Sequence, residues 1–505
     1  MRAIVFLLLS SPGVSLAQQV AFQRYSVSPP FTSSLDAITT GPDGALWTND
    51  PITGQINRVT VAGAVSSFQV ATCEPPFGCG LAGITGGPDG AVWFTNWSHG
   101  TISRITPAGV VTNVYHVPGR GAPWGITTGP DGALWFCAQY PKDNEIGRVT
   151  TTGVFTMYPV PHPVTPSSQP QSITTGPDGA LWFSGNQIGS AYVGRITTTG
   201  AITVYPVTIA GEQSTTYLAG ITTGPDGALW FGDGSAIGRI TTSGLISYYP
   251  ISSNVPISVT SIAAGPDGNL WFSETAGADV YRMTTSGTVS EYFPSFTTYY
   301  GAFGVMITAG PGGTLWFSDG NTMGEIVFLT ATLNVSPSGG YYGTSLTFTG
   351  SGFASGETVN IYSAGVGSPV IASVVANSSG SITAQGSTPP SASGERLFLG
   401  LGQTSGKLGA PYFNTGASVI ATPDSGPPGT SVKVEAYGFW SLQPLSINFN
   451  GSPVGNLTSN LRGFFSGDSA LTFMVPEGTS PGTYTITASG PYDYLASASA
   501  SFTVQ

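Results

Sequence analysis

Four acidic side chains stand three residues beyond a tryptophan: Asp50 after Trp47, Asp233 after Trp230, Glu274 after Trp271 and Asp319 after Trp316. Carboxylates gathered on one face would hold a divalent cation through oxygen ligands, and the alternative is that they accept loop hydrogen bonds around an open channel. With a metal as electrophile, Glu274 or Asp233 is the candidate general base. A second recurring position reads Asp36, Ala82, Trp124, Gln171, Ala219, Thr260 and Val305. That set is mixed and mostly uncharged, so it suits ligand contact, with Asp36, Trp124, Gln171 and Thr260 as the contacts. The loop aromatics Trp97, Trp124, Tyr140, Tyr299 and Tyr300 would stack on a sugar ring or peptide, or pack locally.

Other reactive residue types read as structural. His99, His116 and His162 fall in loops or at an outer-strand end, where a histidine is usually solvated. Cys73 and Cys79 bracket residues 74–78, and in an oxidising compartment they are expected to form a small loop-closing disulfide. Cys137 follows Trp135-Phe136 in a strand pattern and reads as a buried thiol. Arg58, Arg104, Arg148, Arg195, Arg239 and Arg282 recur at one position, as expected for pairing with turn aspartates, and the last copy has Glu325 there instead. No Gly-rich phosphate loop, no Cys/His metal spacing and no Gly-x-Ser-x-Gly elbow occurs.

The elements that would position these residues are read from a repeat. Seven copies of Ile-Thr-x-Gly-Pro-Asp-Gly-x-Leu-Trp end at Trp47, Trp93, Trp135, Trp182, Trp230, Trp271 and Trp316. The tryptophans are 46, 42, 47, 48, 41 and 45 residues apart, a period that suits four short strands per propeller blade. In each unit an inner strand ends at Ile-Thr-Thr, a Gly-Pro-Asp-Gly turn follows, and Leu-Trp-Phe forms the second strand. A third strand such as residues 237–241 and an outer strand such as residues 245–249 complete the blade. The last copy lacks an outer strand, and residues 21–27 resemble one, so the N-terminal strand is expected to complete blade 7 and remove the open edges.

Composition agrees with an all-β chain: 71 Gly and 39 Pro imply many turns, and only 8% of the 505 residues are charged. A formal charge of −11 with no basic run excludes nucleic acid and anionic membranes as natural partners. Arg2, the apolar residues 3–9 and the small residues leading to Ala17 have the layout of a secretory leader, which assigns residues 1–17 to a signal peptide and the rest to a soluble, secreted or cell-surface protein. No later apolar run is long enough to span a bilayer as a helix. Beyond the propeller, residues 18–330, a second duplication appears at an offset of 86 residues, where Pro337, Gly343 and Gly352-Phe353 recur as Pro423, Gly429 and Gly438-Phe439. Residues 332–415 and 418–505 therefore read as two small β-sandwiches.

The propeller repeat, with its Ile-Gly-Arg-Ile-Thr third strand, resembles streptogramin B lyase (virginiamycin B lyase) over residues 19–330, and the two C-terminal copies resemble the immunoglobulin-like IPT/TIG modules of bacterial surface proteins. The first resemblance implies a Mg²⁺-dependent elimination that linearises a cyclic depsipeptide at its ester bond. It also implies histidine bases, with an adjacent glutamate, just before the inner-strand Ile of the last two blades. Here those places hold Thr260 and Val305, with Phe303 where the glutamate would stand. Neither Thr nor Val takes a proton near neutral pH. The expectation is a monomeric, non-catalytic binding protein for a small molecule, glycan or peptide at the propeller face. The rival is a Mg²⁺-dependent carbon–oxygen lyase that uses different residues.

Overall fold

The computed structural model describes residues 20–27, 35–71, 79–139, 144–161, 169–187, 190–207, 218–234, 236–251, 258–274, 280–292, 305–311, 313–320, 322–363, 368–391, 394–439, 444–460, 464–490 and 497–505. Apart from two short 3₁₀ turns, every regular element among them is a strand. None is a helix long and apolar enough to cross a membrane. Two compact units result, one within Pro30–Ile326 and one within Val327–Gln505, the N-terminal strand Val20–Ser26 being grouped with the second.

The first unit is the propeller. Seven four-stranded sheets occur, six of them simple antiparallel meanders in chain order. Blade 3 is representative: inner strand Ala122–Thr128, then Leu134–Gln139, Glu145–Val149 and outer strand Phe155–Pro159. The seventh sheet is ordered Met306–Gly310, Thr314–Asp319, Thr322–Phe328, with Val20–Ser26 outermost. The N-terminal strand thus fills the place that the last copy leaves empty. The inner strand of blade 7 lies against Ile38–Thr40 of blade 1, and Thr40 Oγ1 donates to Ala309 O at 2.8 Å, so the ring is closed.

The turn sequence explains how each blade is held. In blades 1 to 6 the turn aspartate accepts the indole N–H of the repeat tryptophan through Oδ1, at 2.8–3.1 Å, and the arginine Nε through Oδ2, at 2.6–2.7 Å. One carboxylate so ties the turn, the second strand and the third strand together. The expected arginine–aspartate pairing is what forms. Burial alone would raise the Asp43 and Asp131 carboxyls, but the hydrogen bonds from Trp and Arg outweigh it and hold both below the ordinary range. Asp89, Asp178 and Asp226 behave alike.

All seven repeat tryptophans are fully buried, and those of blades 1 to 5 lie in cores shared with the next blade. Trp135 of blade 3, for example, packs with Ile173 and Phe183 of blade 4. Outer-strand aromatics cover the same indoles: Tyr115 on Trp93, Tyr158 on Trp135 and Tyr205 on Trp182, with centroids 5.6–5.9 Å apart. The glycine of Ile-Gly-Arg is dictated by close approach, since a Cβ on Gly147 would lie 2.0 Å from the Phe136 ring. Burying faces only against a neighbour makes each blade dependent on the ring.

The second unit holds two β-sandwiches. In the first, the sheet Thr332–Ser336, Ser345–Ser351, Ile382–Ser387 faces a sheet containing Thr358–Tyr362 and Leu399–Gly402 across Leu346, Phe348, Val359, Ile361 and Phe413. In the second, Ser418–Thr422, Ser431–Tyr437, Leu471–Met474 faces a five-stranded sheet across Val432, Val434, Ile447, Ile486 and Phe502. The Tyr342 and Tyr437 rings, 4.0 Å apart at their centroids, bridge the two sandwiches.

Candidate ligand-binding face

The residues at or just before the starts of the inner strands are fixed by hydrogen bonds from the preceding blade. Asn49 Nδ2 donates to Ala82 O (2.7 Å), Thr95 Oγ1 to Trp124 O (2.8 Å), Gln139 Nε2 to Pro170 O (3.0 Å) and Asn186 Nδ2 to Leu218 O (3.0 Å). Ser273 Oγ donates to Val305 O, and Ser318 Oγ to Asp36 O at 3.3 Å, which carries the belt from blade 7 back to blade 1. Between blades 5 and 6 the corresponding residue is Gly232, and a Cβ there would meet Val259 at 2.6 Å. A second belt runs lower on the inner strands, where Thr128, Thr175 and Thr223 donate to Gly86 O, Thr128 O and Thr175 O at 2.6–2.9 Å. Buried hydrogen bonds of this kind contribute about 1 kcal/mol each and cost more when one partner is removed.

The first belt escaped sequence reasoning. Its signal was a polar residue two places after the tryptophan, at Asn49, Thr95, Ser273 and Ser318, all fully buried. A buried polar group must be paired, and here the partner belongs to the next blade.

The predicted ligand contacts fall on this framework. Asp36 lies at the head of the blade 1 inner strand, its N–H donating to Asn49 O at 3.2 Å. Burial pushes its carboxyl up to about 6, so it remains mainly ionised at neutral pH. Trp124 and Trp97 lie near-parallel, 6.1 Å apart with 13° between planes. Gln171 Oε1 accepts Asn186 Nδ2 at 3.0 Å, and the Thr260 and Ser273 hydroxyls are 3.3 Å apart. Tyr140, Tyr299, Tyr300, Phe303 and His162 lie outside the described residues.

Of the two readings of these carboxylates, metal ligation and loop hydrogen bonding, the second is seen at Asp50. Asp50, Asp233 and Glu274 are at most 1% exposed, each closing the second strand of its own blade. Asp50 Oδ1 accepts the N–H groups of Ile52 and Thr53, the loop-capping role weighed against metal binding. The Asp319 side chain lies outside what is described. Among the described residues no three His, Cys, Asp or Glu side chains come together to hold a metal ion. Glu274 and Asp233, the candidate bases, are buried at the ends of their second strands. Cys79 is disulfide-bonded, while Cys73, its expected partner, lies outside the described residues. Cys137 is free and buried, and burial pushes its thiol pKa far up, which removes it as a nucleophile.

A closed seven-bladed ring with a pinned rim of mostly uncharged residues defines a β-propeller. The profile of the Virginiamycin B lyase family matches residues 20–261 and 216–336, more than half of the chain, and the protein belongs to that family. Among solved structures, a streptogramin B lyase is 32% identical, covering 61% of this chain and 98% of its own, with a TM-score of 0.53. A catalytically inactive virginiamycin B lyase from Staphylococcus aureus with quinupristin is 31% identical, covering 62% of this chain and all of its own, with the same TM-score. No curated protein matches the chain.

Proposed function

We propose that this protein is an exported member of the family that binds a small molecule, peptide or glycan at the propeller face without eliminating across an ester bond. One observation carries the reading: the seven rim positions two residues before the inner-strand Ile hold a single titratable side chain, Asp36, and no histidine. Elimination requires a group that removes a carbon-bound proton near neutral pH, and loss of such a base typically costs about 10²- to 10⁴-fold in rate. Thr260 and Val305 stand where the family resemblance puts the bases, and the Val305 backbone is held by Ser273. Residues 1–17 serve as the export leader in this reading. The two sandwiches, of immunoglobulin-like IPT/TIG type, serve as spacer or attachment modules, supported by matching first sheets whose leading strands start at Thr332 and Ser418, 86 residues apart.

The test is incubation of the purified protein with quinupristin and Mg²⁺, followed by mass spectrometry for the linearised product. No product above the buffer control is expected. Turnover that EDTA abolishes and Asp36→Asn lowers by about 100-fold or more would overturn the reading and make the protein a lyase with a relocated base.

A further inference from the structure

Two of the three histidines in this 505-residue chain line one hollow. It has a volume of about 260 Å³, lies at the edge of blade 2, and is walled by Trp97, Ser98, His99, Gly100, His116 and Val117. Buried Asn96 organises its floor. Asn96 Nδ2 donates to Cys79 O at 2.8 Å, while its Oδ1 accepts the Ser98 hydroxyl at 2.9 Å and the His99 backbone N–H at 3.1 Å. His99 Nδ1 lies 3.2 Å from the same oxygen and 3.1 Å from Ser98 Oγ, which holds that ring edge on the loop. Opposite, His116 pairs in register with Thr101, and Val117 N–H donates to Gly100 O at 2.9 Å.

Trp97 forms the remaining wall. Its N–H donates to Gly80 O at 2.8 Å, and its ring lies beside that of Trp124, whose carbonyl is held by Thr95. Trp97 thus joins the hollow to the Trp124 ring of blade 3. Among the described residues no Asp, Glu, Lys or Arg lines it. It offers one indole, two imidazoles and a hydroxyl.

The geometry points to a subsite for an uncharged, hydroxyl-rich ring, a pyranose of a glycan or glycosylated ligand. The C–H face of the sugar lies against the Trp97 indole, and its hydroxyls exchange hydrogen bonds with His99 Nε2, the His116 ring and Ser98 Oγ. The assignment rests on the binding function proposed above and adds a ligand class to it.

Full-length protein titrated with neutral methyl pyranosides, followed by ligand-observed NMR, tests it. At least one pyranoside is expected to bind with millimolar affinity, weakened about tenfold or more by Trp97→Ala and by His116→Ala and retained by Trp97→Phe. The Trp97→Phe variant separates loss of the stacking surface from loss of the loop. Binding by none of the pyranosides, or binding indifferent to both alanine variants, overturns the subsite. Either result leaves the quinupristin assay to decide the broader reading separately.

Discussion

Glu325 shows how a single residue records the history of its blade. It lies opposite Trp316 in register, where six blades carry arginine, and it is 7% exposed. The blade 7 turn, Gly310-Pro311-Gly312-Gly313, has no aspartate to receive an arginine, and Trp316 Nε1 donates instead to Thr314 Oγ1 at 3.0 Å. A buried guanidinium could not shed its charge there, whereas a carboxyl can. Burial pushes Glu325 up to about 7 from 4.5. Below the lower value the group is neutral in folded and unfolded chains alike. As pH rises the unfolded chain ionises first, and stability falls until the folded carboxyl has ionised too, a total of about 3 kcal/mol. Glu325→Gln is therefore expected to change the propeller's thermal transition little near about pH 4.5 and to raise it by up to about 3 kcal/mol near about pH 8. Equal shifts at both pH values, by calorimetry, would refute the assignment.

At the scale of elements, the strand Val20–Ser26 matters most because the sheet of blade 7 depends on a segment far away in sequence. Without it Thr322–Phe328 becomes a bare edge whose unpaired N–H and C=O groups invite pairing with other chains. Deleting residues 20–26 is expected to yield protein that aggregates, seen as concentration-dependent light scattering. A soluble monomer with an unshifted melting temperature would show that blade 7 tolerates an open edge. Outer strands elsewhere also matter for what they cover: Tyr115 lies over Trp93 and occupies the space a Cβ on Gly153 of the next blade would need.

For the molecule as a whole, five turn carboxylates, Asp43, Asp89, Asp131, Asp178 and Asp226, are held below their ordinary pKa by the same pair of donors. A depressed carboxylate contributes stability above its unfolded pKa of 3.8 and loses it as pH falls through the folded value. Five such groups in one closed ring act together, so acid is expected to unfold the propeller in one steep step below about pH 4, read from near-UV dichroism of the buried tryptophans. An unchanged spectrum down to about pH 2 would show that the pairs add nothing to stability.

The sequence by itself determined the ring of seven, its blade boundaries and the strand that closes it, because Gly-Pro-Asp-Gly and Leu-Trp-Phe are local turn and strand chemistry repeated at one period. The pairing of each arginine with a turn aspartate was legible for the same reason. What tertiary structure alone decided is depth and convergence. Asp50, Asp233 and Glu274 share a repeat position, but that position is sealed inside each blade. His99 and His116, read as solvated loop residues, meet in a hollow with Trp97 because a hairpin and a buried asparagine fold them onto one edge. A repeat fixes which residues are equivalent, whereas the packing of one blade on the next fixes which of them face solvent.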